Sequence, residues 1–288
     1  MDAMDDLTPR QRRQWDEEGY LLVEGALAAD EVDALLGAAD RAVARSQSRV
    51  DQGAAGGAQQ AFKVIRAVEQ DAALDLLIDH PATLPVLIGL LGPSLQVLGT
   101  EIFVRLPAPG REPLVEWHKD GGPALSRILC QPGSPVLQLK IQYFLTDLSE
   151  PDSGNFLLVP GSHRRPFPAD GRVPAEDLAR AVQVRARPGD ALIFPWALWH
   201  AVAPNHSGRV RKSVTLRWGQ LFCRPYDFEQ LPASLLARWT PRQRRLFGEL
   251  RADRQPHEYY YTDEADQLRL LASSRGSRDL STGGSSPA

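Results

Sequence analysis

The sequence predicts a mainly β protein with added helices: a double-stranded β-helix, or jelly roll, of the cupin-like barrel type, flanked by N-terminal and C-terminal helices. Three observations carry this. The N-terminal third is dominated by helical periodicity, residues 94–222 hold many short apolar or alternating runs parted by Gly/Pro turns, and residues 231–250 return to a helical pattern. Strands gathered together in sequence, with helices outside them, fit two stacked sheets with helices packed on one face.

Each element has a local reason. Thr8-Pro9 reads as an N-cap followed by proline at the first helical position, opening a helix that ends near Gly19. Tyr20 to Val23 reads as a short strand. Asp30 is expected to cap a second helix running to about Arg45, with Val32, Leu35, Leu36 and Ala39 at helical spacing. Residues 46–60, which include Gly53-Ala-Ala-Gly-Gly, read as a flexible loop and a candidate active-site lid. Phe62 to Ile65 is a strand, and Asp71 to Ile78 and Ala82 to Leu91 are short helices broken by His80-Pro81. Gln96 to Leu106, Val136 to Leu145, Asn155 to Val159, Ala191 to Phe194, Trp199 to Ala203 and Lys212 to Leu221 complete the strands. One domain over residues 1–272, with its barrel at roughly 94–222, is the expectation. The Ser/Gly-rich residues 273–288 read as a disordered tail.

Composition narrows the function classes. Apolar content of 43% supports a sizeable core, and a net charge of −3 lacks the basic footprint that nucleic acid needs. The Arg238 to Arg254 stretch is interleaved with acids and apolar residues, as on a solvated helix face. Cys130 and Cys223 have neither disulfide-framework nor zinc-site spacing, and a reducing cytoplasm suits them. Met1 to Asp6 shows no signal-peptide pattern, and Leu84 to Leu91 is too short an apolar run to span a bilayer. A small-molecule partner is expected, with neither nucleic acid nor membrane; oligomeric state is not readable. Only four of the 33 basic residues are lysines, a bias that suggests a GC-rich bacterial genome.

The chemistry concentrates in a few residues. His118 and Asp120, within Glu116-Trp-His-Lys-Asp, are two apart and share a face in an extended segment. His200 lies 82 residues on, in Trp196-Ala-Leu-Trp-His, and suits a strand across the barrel. Two imidazoles and one carboxylate form the facial triad that holds non-haem Fe(II) by one face. Arg211 follows and offers a planar fork of donors to a carboxylate co-substrate such as 2-oxoglutarate. A lone His-x-Asp would more often be structural. Arg209 and Arg217 rival Arg211 on chemistry alone.

From Lys63 to Lys212 the chain resembles the phytanoyl-CoA dioxygenase family of Fe(II)/2-oxoglutarate oxygenases. The matching pieces are Trp117-His-Lys-Asp, Ser153-Gly-Asn-Phe-Leu-Leu-Val-Pro-Gly-Ser-His163, Gly189-Asp-Ala-Leu-Ile-Phe194, and His200-Ala-Val-Ala-Pro-Asn205 with Arg211. Glu18-Gly-Tyr-Leu-Leu-Val-Glu is similar to the family's opening strand. The resemblance implies that His118, Asp120 and His200 bind Fe(II), and the family's spacing selects Arg211 for the distal carboxylate of 2-oxoglutarate. Family register adds Lys63, Tyr143 and Ile102 as co-substrate contacts, and Ser213 could give a hydroxyl beside Arg211. Val202 departs from the small hydroxyl residue common at that position, removing one expected donor.

The implied reaction consumes O2 and 2-oxoglutarate, releases succinate and CO2, and hydroxylates an unactivated C–H bond of a small molecule, a secondary metabolite or acyl-type substrate. Halogenation would require the carboxylate ligand to be missing, whereas Asp120 is present. Desaturation, epoxidation and cyclisation stay open. Two other classes remain in view: a non-catalytic jelly-roll binding protein, and a cupin-type metalloenzyme that does not use 2-oxoglutarate. His80, His163, His206 and His257 read as structural, turn or surface residues.

Overall fold

Thr8 caps the first helix, Pro9–Glu18, in the manner its sequence suggests. Its hydroxyl accepts from Gln11 N at 3.2 Å, and the Gln11 side chain accepts from Thr8 N at 2.9 Å. Gly19 ends the helix at φ 82°, where a Cβ would come 2.3 Å from His163 Nδ1. Glycine there meets both a left-handed turn and a close approach. It also fixes His163 as a packing residue against the first helix. The computed structural model describes residues 7–45, 61–108, 110, 115–249, 256–261 and 267, so the candidate lid 46–60 and the tail 273–288 lie outside the described residues.

Nine strands are present among the described residues: β1 Leu21–Val23, β2 Ala61–Ile65, β3 Leu95–Arg105, β4 Gln138–Phe144, β5 Phe156–Leu158, β6 Val182–Gln183, β7 Ala191–Pro195, β8 His200–Val202 and β9 Arg211–Gln220. They form two antiparallel sheets, ordered β1-β7-β4-β9-β3-β2 and β6-β5-β8. This is the expected jelly roll. Side-chain parity sorts the two faces of the larger sheet. Phe144, Leu192 and Phe194 pack with Phe156 and Leu158 of the smaller sheet, forming an inner core. Ile141, Ile193 and Leu216 face the other way and pack with Leu35, Leu74 and Leu87 of the helical layer.

Several boundaries differ from expectation, each for a local reason. The second helix, Ala29–Arg45, starts one residue before Asp30, which sits in the first turn where a carboxylate complements the helix dipole. The single helix expected at 71–78 is instead Ala67–Gln70 followed by a 3-10 helix, Ala72–Leu77. Asp71 divides them, its carboxylate accepting from Ala73 N at 3.1 Å. The helical region 231–250 splits into Ala233–Arg238 and Pro241–Leu246. Pro241 at a helix start, behind the Thr240/Gln243 capping box, repeats the Thr8-Pro9 signal that identified the first helix. No helix among the described residues is long and apolar enough to cross a membrane.

Candidate metal centre

His118 and His200 are brought together by backbone pairing. His118 N donates to His200 O at 2.9 Å and His200 N to His118 O at 2.8 Å, an antiparallel bridge outside the named strands. Directly opposed residues present their side chains on one face, and the two imidazole centroids stand 4.3 Å apart. The expected extended segment is thus one bridge followed by a bend at Asp120, whose N donates to Trp196 O at 2.8 Å. Ser162 of the Pro-Gly-Ser-His segment accepts from Trp199 N at 2.9 Å and anchors the residue just before His200.

The donor atoms of His118, Asp120 and His200 all lie within 4.8 Å of one another. Each histidine is fixed in one tautomer. His118 Nδ1 donates to Glu116 O at 3.1 Å and His200 Nδ1 to Leu198 O at 2.8 Å, which leaves each Nε2 as a lone-pair donor. Burial pushes the His200 pKa down to about 3, with Asp120 opposing, so its imidazole is neutral at neutral pH. A neutral ring is the form that ligates. Phe156 stacks on the His200 ring and Phe194 meets its edge, each with centroids 5.1 Å away. These phenylalanines, rather than Trp196 or Trp199, give His200 its dry aromatic surroundings.

Asp120 has two unlike oxygens. Lys140 Nζ donates to Oδ1 at 2.7 Å and Arg217 Nη2 stands 3.6 Å from it, while buried Oδ2 has no hydrogen-bond partner and lies 3.8 Å from His200 Nε2. Burial alone would raise the Asp120 pKa, but Lys140, His200 and Arg217 together hold it well below the usual carboxylate range.

A cavity of about 220 Å³ opens on this cluster and extends along β9 to Arg211. Arg211 is 4% exposed, and its Nε and Nη2 are buried without a hydrogen-bond partner. Its cross-strand neighbour is Arg105 of β3. Burial first, then Arg105, pushes the Arg211 pKa down to about 9, leaving it charged at neutral pH. A buried cation opposite another cation is costly unless an anion joins them. Gly154, at φ 80°, makes room: a Cβ there would approach Arg211 Cδ to 3.0 Å.

The rivals of Arg211 separate cleanly. Arg209 is a surface residue paired with Asp147 at 3.2 Å, and Arg217 serves Asp120. Ser213 is on the same face as Arg211 and is fully buried, with its hydroxyl accepting from Gln142 Nε2 at 2.8 Å. Lys63 lines the cavity, but its ammonium pairs with Glu101 and lies 5.4 Å from the Phe103 centroid. Glu101 already supplies the counter-charge this lysine needs, so 2-oxoglutarate is not required to explain it.

Tyr143 and Ile102 are corrections. Tyr143 points into the helical-layer core, its hydroxyl 2.8 Å from Thr83 Oγ1, and Ile102 is buried in the same core. On β4 the cavity face belongs to Lys140 and Gln142, and on β3 to Glu101, Phe103 and Arg105. Each expected contact is one residue out of parity, and a one-residue step flips a side chain to the other face. Lys140, Gln142 and Arg105 were therefore missed. The signal was available: Gln138, Lys140 and Gln142 alternate with Leu139, Ile141 and Tyr143.

Comparison with known proteins places these residues in context. The family described as Phytanoyl-CoA dioxygenase (PhyH) matches residues 15–213. Among curated relatives, "Dioxygenase cdmA" of Talaromyces verruculosus is 32% identical over 143 residues, covering 49% of this chain and 46% of that protein. "Dioxygenase trt7" of Aspergillus terreus is 23% identical over 257 residues and covers 84% of each. The chain thus spans about half the length of the first relative and most of the second. Among solved structures, HygX from Streptomyces hygroscopicus with nickel and 2-oxoglutarate bound superposes with a TM-score of 0.63 at 19% identity, covering 80% of this chain and 94% of that one. That likeness establishes a shared fold.

Proposed function

This chain belongs to the phytanoyl-CoA dioxygenase family, and from that membership we propose that it is a non-haem Fe(II)- and 2-oxoglutarate-dependent dioxygenase that hydroxylates a small molecule. The observation that carries the reading is one cavity holding both an unpartnered carboxylate oxygen beside two imidazoles and an unpartnered buried guanidinium. The first set fits Fe(II), and the second fits the distal carboxylate of a dicarboxylate. Two curated relatives named dioxygenases support it, as does a structural neighbour described with nickel and 2-oxoglutarate.

In this reading His118, Asp120 and His200 hold the iron, and Arg211 orients 2-oxoglutarate. When bound, the pair would supply O2-dependent oxidation of a C–H bond coupled to release of succinate and CO2. Phe156 and Phe194 pack against the His200 ring and form an apolar wall of the cavity beside it. Gln142 fixes the Ser213 hydroxyl as an acceptor, which leaves the hydroxyl proton free to be donated towards the carboxylate held by Arg211. A secondary-metabolite substrate is favoured by the neighbour solved with hygromycin B. The unpaired Cys130 and Cys223 support a reducing cytoplasmic setting, and the lysine-poor composition supports a bacterial source.

The test is decarboxylation of 2-oxoglutarate labelled at C1. Purified protein given Fe(II) and O2 should release labelled CO2, and a chelator should stop the release until iron is restored. Release that persisted after metal removal would count against the proposal.

A further inference from the structure

The two oxygens of Asp120 are treated differently by their surroundings, and the difference has a use. Oδ1 receives Lys140 at 2.7 Å and Arg217 at 3.6 Å, whereas Oδ2 is buried, lacks a hydrogen bond and points towards His200. Lys140 and Arg217 are themselves held in place. They are cross-strand partners in the β4–β9 register, and the Arg217 guanidinium lies 4.6 Å from the centre of the Tyr226 ring. Two cations directly opposed would repel, and Asp120 is the counter-charge they share.

We propose that Lys140 and Arg217 are positioning residues that hold Asp120 by Oδ1, so that it offers iron Oδ2 alone and leaves a coordination position open. The inference rests on the iron and 2-oxoglutarate reading above. A facial triad leaves the opposite face of the ion free, and a chelating 2-oxoacid fills all but one position of that face. A carboxylate free to bind through both oxygens would close the last position. Partners that hydrogen-bond a ligating carboxylate fix its orientation in this way. A lysine merely substituting for the metal would sit among the three donors. Lys140 instead makes its hydrogen bond to Oδ1, on the oxygen that does not face His200.

Nitric oxide, added without O2 to protein loaded with Fe(II) and 2-oxoglutarate, reports the open position through the spin-resonance signal of the iron nitrosyl. The visible charge-transfer absorption of the iron–2-oxoglutarate complex reports loading independently. Lys140→Met should keep the absorption and lose nitric oxide affinity by about tenfold or more, the scale typical of a lost outer-shell partner. Lys140→Arg should recover most of it. Unchanged affinity in Lys140→Met, with the absorption intact, would overturn the clamp. Should Lys140→Met fail to load iron, Arg217→Gln carries the test with Lys140 in place. A smaller loss of affinity there supports the clamp, and no loss overturns it. Absence of the charge-transfer absorption in the wild type would overturn the underlying reading of the site, and the clamp with it.

Discussion

Asp120→Ala should lower metal-dependent turnover of 2-oxoglutarate by more than about 100-fold. Losing even an outer partner of a metal ligand typically costs about 10–100-fold, and this substitution removes a ligand itself. It also removes the counter-charge of Lys140 and Arg217. Breaking a buried ion pair from one side commonly costs about 3–5 kcal/mol. Burial pushes the Lys140 pKa down, and Asp120 opposes that shift. A lower melting temperature is therefore expected alongside lost activity. Asp120→Asn separates the two effects, since it keeps the side chain's shape and a hydrogen-bonding oxygen. Activity should vanish in both variants, with the asparagine form closer to wild type in stability. Turnover retained in a correctly folded Asp120→Asn protein would remove Asp120 from the metal set.

Arg211→Ala should weaken 2-oxoglutarate binding by about 30-fold to several thousand-fold, the equivalent of about 2–5 kcal/mol for truncating one side of a buried charge pair. Arg211→Lys should recover only part of this, because an ammonium cannot reproduce the fork. Stability should respond in the opposite sense. Without ligand, Arg211 leaves Nε and Nη2 unsatisfied and faces Arg105 across the strands, so its removal should leave the ligand-free melting temperature unchanged or raised. Arg209→Ala is the matched control. Its side chain is 59% exposed and pairs with Asp147 at the surface, where such pairs contribute little. If Arg209→Ala weakened 2-oxoglutarate binding and Arg211→Ala did not, the assignment on β9 would be wrong.

The parts of the fold written in local chemistry were legible. Thr8-Pro9 and the Gly19 stop depend on neighbours in sequence and appear where expected, and β4 and β9 fall within one or two residues of the runs read at 136–145 and 212–221. The cluster of His118, Asp120 and His200 was legible through the family motifs that accompany it, and the structure brings its donor atoms within 4.8 Å of one another by one β-bridge and a bend at Asp120. Facing direction was not, as Tyr143 and Ile102 show. Both strands of the larger sheet are covered on each side, by helices on one and the smaller sheet on the other, so apolar character does not label the inner face. What labels it is the minority of polar residues, Lys140 and Gln142 on β4 and Arg211, Ser213 and Thr215 on β9. Lys63 lines the same cavity, and its partner was not legible for a related reason. A lysine in an apolar strand demands an anion, and sequence alone cannot distinguish a co-substrate from Glu101 on the adjoining strand.

Calorimetric titration of 2-oxoglutarate, with and without Ni(II) as a redox-inert stand-in for iron, asks most directly whether the two halves of this cavity serve one ligand. With Ni(II) present, one molecule per chain should bind. Removing the metal, or replacing Arg211 by alanine, should each weaken binding by at least about tenfold, equivalent to about 1.4 kcal/mol. Binding of equal strength with and without metal, and unaffected by Arg211→Ala, would contradict the assignment of the cavity to a metal-chelated 2-oxoglutarate.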